Sequence, residues 1–159
     1  MKNLSLKMIA IVDSEFGIAK DEKIPWSFAE DLKFFYQKTK NNIVIMGRRT
    51  FESLGAPLKN RENYVISRTM KNDVEGISVF DSLEHALEHI ETQVSEAWLI
   101  GGAELFNYAL KRHLIDEAFI TQVPENFHAD IFLDKSLLDY LKREIIKQDK
   151  DYKIYRYSL

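Results

Sequence analysis

The stretch Ile43-Val44-Ile45-Met46-Gly47-Arg48-Arg49-Thr50 narrows the fold more than any other part of the chain. Four consecutive apolar residues leave no solvent face, so the run suits a strand covered on both sides, and the glycine turns it directly into a helix. A second unit of the same design is Ala97-Trp98-Leu99-Ile100-Gly101-Gly102-Ala103-Glu104. Strands of this kind, joined through helices, belong to parallel sheets. Further strand-like runs span 6–12, 63–66, 77–80, 117–123, 143–147 and 152–157, and helix-like runs span 28–38, 48–54, 83–92 and 103–111. No helix separates the last two strands, which points to an antiparallel hairpin at one edge. The expected architecture is α/β: a single domain over residues 1–159. It would have a mostly parallel central sheet of about eight strands, an antiparallel C-terminal edge hairpin and about four flanking helices.

Charge and composition remove whole classes of function. The formal net charge is −3 and no basic run occurs, which argues against nucleic acid as a partner. Cysteine is absent, so disulfides and thiolate chemistry are excluded. The apolar stretch near the N-terminus is short and broken by Lys7, and no transmembrane-length run exists. A soluble, cytoplasmic protein, monomeric by default, is the expectation.

Three features carry chemistry. Arg48 and Arg49 in a helix's first turn oppose the macrodipole, which makes sense if an anion sits there; the bland alternative is a solvated basic pair. Paired glycines at Gly101-Gly102 let backbone approach a ligand at the carboxyl end of a strand, where open α/β sheets bind ligands. Neither unit matches the P-loop or the dinucleotide fingerprint. The third feature follows the turn Ile24-Pro25-Trp26, where Ser27 and Glu30 have capping-box spacing and place a helix start at Phe28. On that helix Phe28, Leu32, Phe35 and Thr39 form one stripe and Asp31 falls at its edge. A carboxylate there must reach water or a partner, and desolvation should raise its pKa. Residues 13–23, with Gly17 near the middle, read as a long loop of the functional kind. Among the weaker signals, Trp98 reads as core, and His85 and His89 lack the His-Glu-x-x-His order of a metal helix.

Together these pieces resemble dihydrofolate reductases. The landmarks are Ile24-Pro25-Trp26, Asp31, Val44-Ile45-Met46-Gly47-Arg48, Thr50-Phe51-Glu52-Ser53-Leu54-Gly55, Pro57-Leu58, Arg61, Ile100-Gly101-Gly102 and Thr121, in family order over about residues 6–158. The resemblance implies NADPH-dependent reduction of 7,8-dihydrofolate to tetrahydrofolate, by hydride transfer to pterin C6 with protonation at N5, in support of one-carbon and thymidylate metabolism. It implies that Asp31 binds pterin N3 and the 2-amino group, with Thr121 reaching the same carboxylate. Ile9, Leu32, Phe35, Leu58 and Ile100 would enclose the pterin and aminobenzoyl rings, with Ser53 and Leu54 nearby. Arg61 would pair with the α-carboxylate of the glutamate tail.

On the cofactor side, Ala10, Ile11, Gly17, Ile18 and Ala19 would flank the nicotinamide. Gly47, Arg48, Arg49 and Thr50, with Ser67 and Arg68, would hold the adenosine phosphates. Gly101, Gly102, Ala103, Glu104, Leu105 and Phe106 would carry the pyrophosphate, and the Gly-Gly bond would be cis. No metal is implied. The chain departs from the common pattern at Ala19, at Phe106, where many bacterial members have tyrosine, and at Ala56, where some have arginine. Two alternatives remain: the riboflavin-pathway reductase, which shares the fold, and a scaffold that holds nucleotide without turnover.

Overall fold

The computed structural model describes residues 3–19, 29–72 and 74–159, with backbone only at residues 19 and 29–31. The Ile24-Pro25-Trp26 turn, the Ser27 cap and the Phe28 helix start lie outside the described residues, as does the side chain of Asp31.

Eight strands form one sheet in the order β5-β4-β3-β6-β1-β7-β10-β9. The parallel part comprises β1 (Ser5–Val12), β3 (Ile43–Gly47), β4 (Glu62–Ile66), β5 (Ile77–Phe80), β6 (Glu96–Gly101) and β7 (Glu117–Gln122). Strands β9 (Lys142–Gln148) and β10 (Lys153–Ser158) complete it as the antiparallel edge hairpin. The helices are α1 (Ala29–Thr39), α2 (Arg48–Leu54), α3 (Leu83–His89) and α4 (Ala103–Lys111).

Alternation along the strands sorts side chains to two faces. Met8, Ile45, Leu99 and Ile120 face one core, shared with Leu83 and Ala86 of α3 and Phe106 and Leu110 of α4. Ile9, Val44, Met46, Trp98 and Phe119 face the other, covered by Phe34 and Phe35 of α1 and Phe51 of α2. Trp98 is core, as its apolar strand implied, and its indole N–H donates to Glu96 (2.6 Å).

Three expectations need correction. Helix α3 stops at His89 rather than 92: Ser82 caps its start, but Ile90 turns to an extended ψ of 130° and buries its side chain. The supposed loop 13–23 contains a short strand, β2 (Gly17–Ala19), paired antiparallel with β8 (Ile131–Phe132). The stripe on α1 does not include Leu32, which is 61% exposed; Phe34, Phe35 and buried Thr39 make the packed face.

Candidate active site

The two strand–glycine–helix units lie side by side. Strand β3 pairs with β6, so Met46 stands opposite Gly101 at adjacent carboxyl ends. From there the chain departs in opposite directions, α2 to the face holding Trp98 and α4 to the face holding Leu99. Diverging helices leave a crevice above the strand ends, the place where open α/β sheets receive ligands.

Both helices begin on glycine, Gly47 and Gly102, and neither N-cap makes a side-chain hydrogen bond. The first bond of α4 runs from Phe106 N–H to Gly102 O (2.9 Å), so the earlier N–H groups have no acceptor within the helix. An anion at the start of α4 would therefore be stabilised by these N–H groups and the macrodipole. The Gly101-Gly102 peptide is cis. Gly101 has φ +140°, and a Cβ there would stand 3.2 Å from Thr50 Oγ1, so side-chain-free backbone is required where the turns meet.

Cations gather where β3 runs into α2. Exposed Arg48 donates from Nη1 to Thr69 Oγ1 (3.0 Å) and approaches Glu52 at 3.6 Å, while exposed Arg49 follows it in the first turn. Strand β4 delivers Ser67 and Arg68 beside them, and Ser67 Oγ accepts from Thr69 N–H (3.3 Å) and Met70 N–H (3.0 Å). Thr69 was not singled out in the sequence; its only signal there was a hydroxyl next to Arg68. These groups suit a nucleotide with an additional phosphate, so the residues present fit NADPH. Nearer β1, Ala10 and Ile18 pack against the core of α4 with Leu105, and Phe106 is fully buried in it. Ile11 lies on the opposite face.

On that opposite face a second set converges. Ile9, Phe35, Leu58 and Ile100 belong to one apolar cluster. Thr121 pairs in register with Ile11, two residues beyond Phe119 on the same side of β7. Its hydroxyl oxygen is buried, with no hydrogen-bond partner among the described residues. Leu32, Ser53 and Leu54 are exposed, on the two helices whose Phe34, Phe35 and Phe51 belong to this cluster. Asp31 lies three and four residues before Phe34 and Phe35 on α1. Arg61 stands over the rings of Phe35 and Tyr36 at 5.8 and 5.2 Å. Its Nε donates to Lys59 O (2.8 Å) and its Nη1 to Thr39 Oγ1 (3.2 Å). Burial lowers its pKa, with Tyr36 pulling the other way, yet a guanidinium stays charged at neutral pH.

An open α/β sheet with arginines at one side of its central strand ends and an apolar cluster at the other has the frame of a nucleotide-binding α/β protein. The dihydrofolate reductase family model matches residues 5–158, and the chain belongs to that family. The dihydrofolate reductase of Haemophilus influenzae is 41% identical over 115 residues, covering 72% of this chain and 69% of that protein. A bifunctional dihydrofolate reductase-thymidylate synthase of Paramecium tetraurelia is 34% identical over 149 residues, 93% of this chain but 32% of that longer protein. The solved structure of dihydrofolate reductase from Enterococcus faecalis, complexed with NADP(H) and RAB-propyl, superposes with a TM-score of 0.84 at 27% identity. That match covers 97% of this chain and 95% of that one.

Proposed function

We propose that this protein reduces 7,8-dihydrofolate to 5,6,7,8-tetrahydrofolate with NADPH. The observation that carries this reading is the adjacent carboxyl ends of β3 and β6, with arginines on one side and the Ile9–Phe35–Leu58–Ile100 cluster on the other, near a buried Thr121 hydroxyl unpaired among the described residues. NADPH, when bound, supplies the hydride. Gly47 to Thr50, Ser67, Arg68 and Gly101 to Phe106 bind its phosphates, and Ala10, Ile11 and Gly17 to Ala19 flank the nicotinamide. The apolar cleft holds the pterin and aminobenzoyl rings, excludes water and fixes C6 against the donor, an orientation effect. Asp31 and Thr121 hold N3 and the 2-amino group and favour the pterin protonated at N5. Arg61, already fixed by two of its nitrogens, presents the rest of its fork to the substrate's α-carboxylate. The chain works as a single cytoplasmic domain and as a monomer, without nucleic acid.

The test is to mix purified protein with NADPH and dihydrofolate and follow the near-ultraviolet absorbance of the cofactor. Loss of absorbance that requires dihydrofolate is expected. Oxidation only with a ribosylated pyrimidine, or cofactor binding without turnover, would overturn the reading.

A further inference from the structure

A pocket of about 470 Å³ lies at the amino ends of β3 and β4, the far end of these strands from Gly47. Its walls include Asn41, Asn42, Asn60, Arg61, Glu62 and Val94. Two backbone bonds join the walls, from Asn41 N–H to Asn60 O (2.7 Å) and from Glu62 N–H to Asn42 O (3.0 Å). Asn41 (φ 61°) and Asn60 (φ 63°) both hold the left-handed backbone that asparagine tolerates better than most residues. Backbone thus sets the shape of this pocket.

The same turn serves the apolar cluster proposed for the substrate rings. Leu58 belongs to that cluster, and Asn60, Arg61 and Glu62 follow it closely in the chain. Buried Asn63 holds the turn as one piece: its Oδ1 accepts from Leu58 N–H (2.8 Å), and its Nδ2 donates to Leu58 O (3.0 Å) and Arg61 O (3.0 Å). Asn60 Nδ2 donates to Tyr36 Oη (3.2 Å), which ties the turn to α1. Arg61 therefore borders both places. A substrate glutamate whose α-carboxylate meets Arg61 has its γ-carboxyl group a short chain away, and no residue has yet been given that group.

The lining decides which form of that group it suits. Its polar residues are three asparagines, one arginine and one glutamate. A free γ-carboxylate entering here meets the like charge of Glu62, which opposes it. A secondary amide carries no charge and offers one N–H and one C=O, the groups that asparagine amides pair with. Among the described residues Asn42 Nδ2 makes one bond, to Lys40 O (3.2 Å), and Asn60 Nδ2 makes one, so each keeps an N–H and a carbonyl oxygen for a ligand. We propose that this pocket is a second substrate subsite, which receives a further amino acid joined by an amide bond to the γ-carboxyl of the substrate's glutamate. This rests on the proposed activity and on the place given there to Arg61. Val94 supplies apolar contact for the aliphatic carbons of the added residue.

The test compares dihydrofolate with two derivatives, one carrying a γ-methylamide and one with alanine joined at the γ-carboxyl. The KM for both derivatives should lie about tenfold below that for dihydrofolate, with kcat alike, as expected of two neutral hydrogen bonds gained. Asn41→Gly and Asn60→Gly each remove an amide and suit the left-handed backbone, so the ratio of KM values should fall toward one in a folded protein. Glu62→Gln removes the opposing charge and should narrow the ratio from the other side, by lowering the KM for dihydrofolate itself. Equal KM values in the parent would overturn the subsite, as would a parental ratio kept by both glycine variants. A benefit confined to the methylamide would show that only loss of charge matters, and would overturn it too. Each of these results leaves the proposed activity standing. If the parent reduces none of the three compounds, that activity fails, and calorimetric titration of the same compounds still reads the pocket: a tenfold preference for the derivatives supports the subsite, and equal or absent binding overturns it.

Discussion

Arg61 is held in place by its neighbours on α1 and in the segment before β4. Two of its nitrogens are committed to Lys59 O and Thr39 Oγ1, and the aromatic rings of Phe35 and Tyr36 lie beneath it. Arg61→Leu should weaken dihydrofolate binding while sparing a pterin that lacks the aminobenzoyl-glutamate portion; equal losses would make Arg61 structural. Thr39→Val removes the anchor, worth about 1 kcal/mol, along with the hydroxyl's own bond to Phe35 O within α1 (2.8 Å), so the KM for dihydrofolate should rise roughly fivefold with kcat near parental. Glu117 is a second residue whose environment predicts a measurement. It lies between Lys7 (3.2 Å) and Arg156, and Arg156 continues to Glu144 (2.8 Å). Desolvation pushes its pKa up, but hydrogen bonds from Arg156 and Lys7, with their charges, outweigh this and hold it below the ordinary carboxylate value. A pKa lower in the folded than in the unfolded state gives a contribution that is complete above the unfolded value and lost as pH falls through the folded one. Urea titrations should therefore find Glu117→Gln less stable than the parent at neutral pH, with the gap narrowing in acid. A constant gap would mean that the ion pairs contribute nothing through this ionisation.

At the scale of elements, the sequence was most legible where glycine bounds an apolar run. Helices α2 and α4 begin where Gly47 and Gly102 place them, and β3 and β6 run as expected with one or two residues added at their ends. Strands β2 and β8 were not legible, because two or three residues establish no period and their pairing joins segments far apart in the chain. The packed stripe of α1 was misjudged at Leu32, since a residue at a cleft has the same apolar signature as one in the core. The α2 and α4 N-termini carry two predictions. Arg49→Ala combined with Arg68→Ala should raise the KM for NADPH by roughly a hundredfold and leave that for NADH almost unchanged, the loss expected of two charge-assisted hydrogen bonds. Equal losses with both cofactors would show that these arginines do not read the 2′-phosphate. Gly101→Ala adds a Cβ at φ +140° against Thr50 and should weaken cofactor binding more than Ala103→Gly, which adds nothing; titration of NADPH against each variant compares them.

For the whole molecule, strand order converts distant sequence into a site. Residues 9, 58 and 100 mean little along the chain, and they share one cluster because β6 inserts between β3 and β1, while β7 adds Thr121 beside Ile11 on the other side of β1. Spacing alone could not reveal that order, and the roles of these residues entered through family resemblance. The pocket at the amino ends of β3 and β4 was not legible at all, since Asn41 and Asn60 read as ordinary turn residues. In the proposed reaction, dihydrofolate is reduced with a proton supplied under the control of Asp31. Single-turnover hydride transfer, followed from about pH 5 to 9 for the parent and Asp31→Asn, tests it most directly. Since the reaction consumes a proton at N5, the parental rate should fall as pH rises. Asp31→Asn removes the charge that favours a protonated pterin, so its deficit should be large near neutrality and shrink in acid, where solvent protonates the substrate. Parental rates from Asp31→Asn at neutral pH would show that Asp31 has no such role.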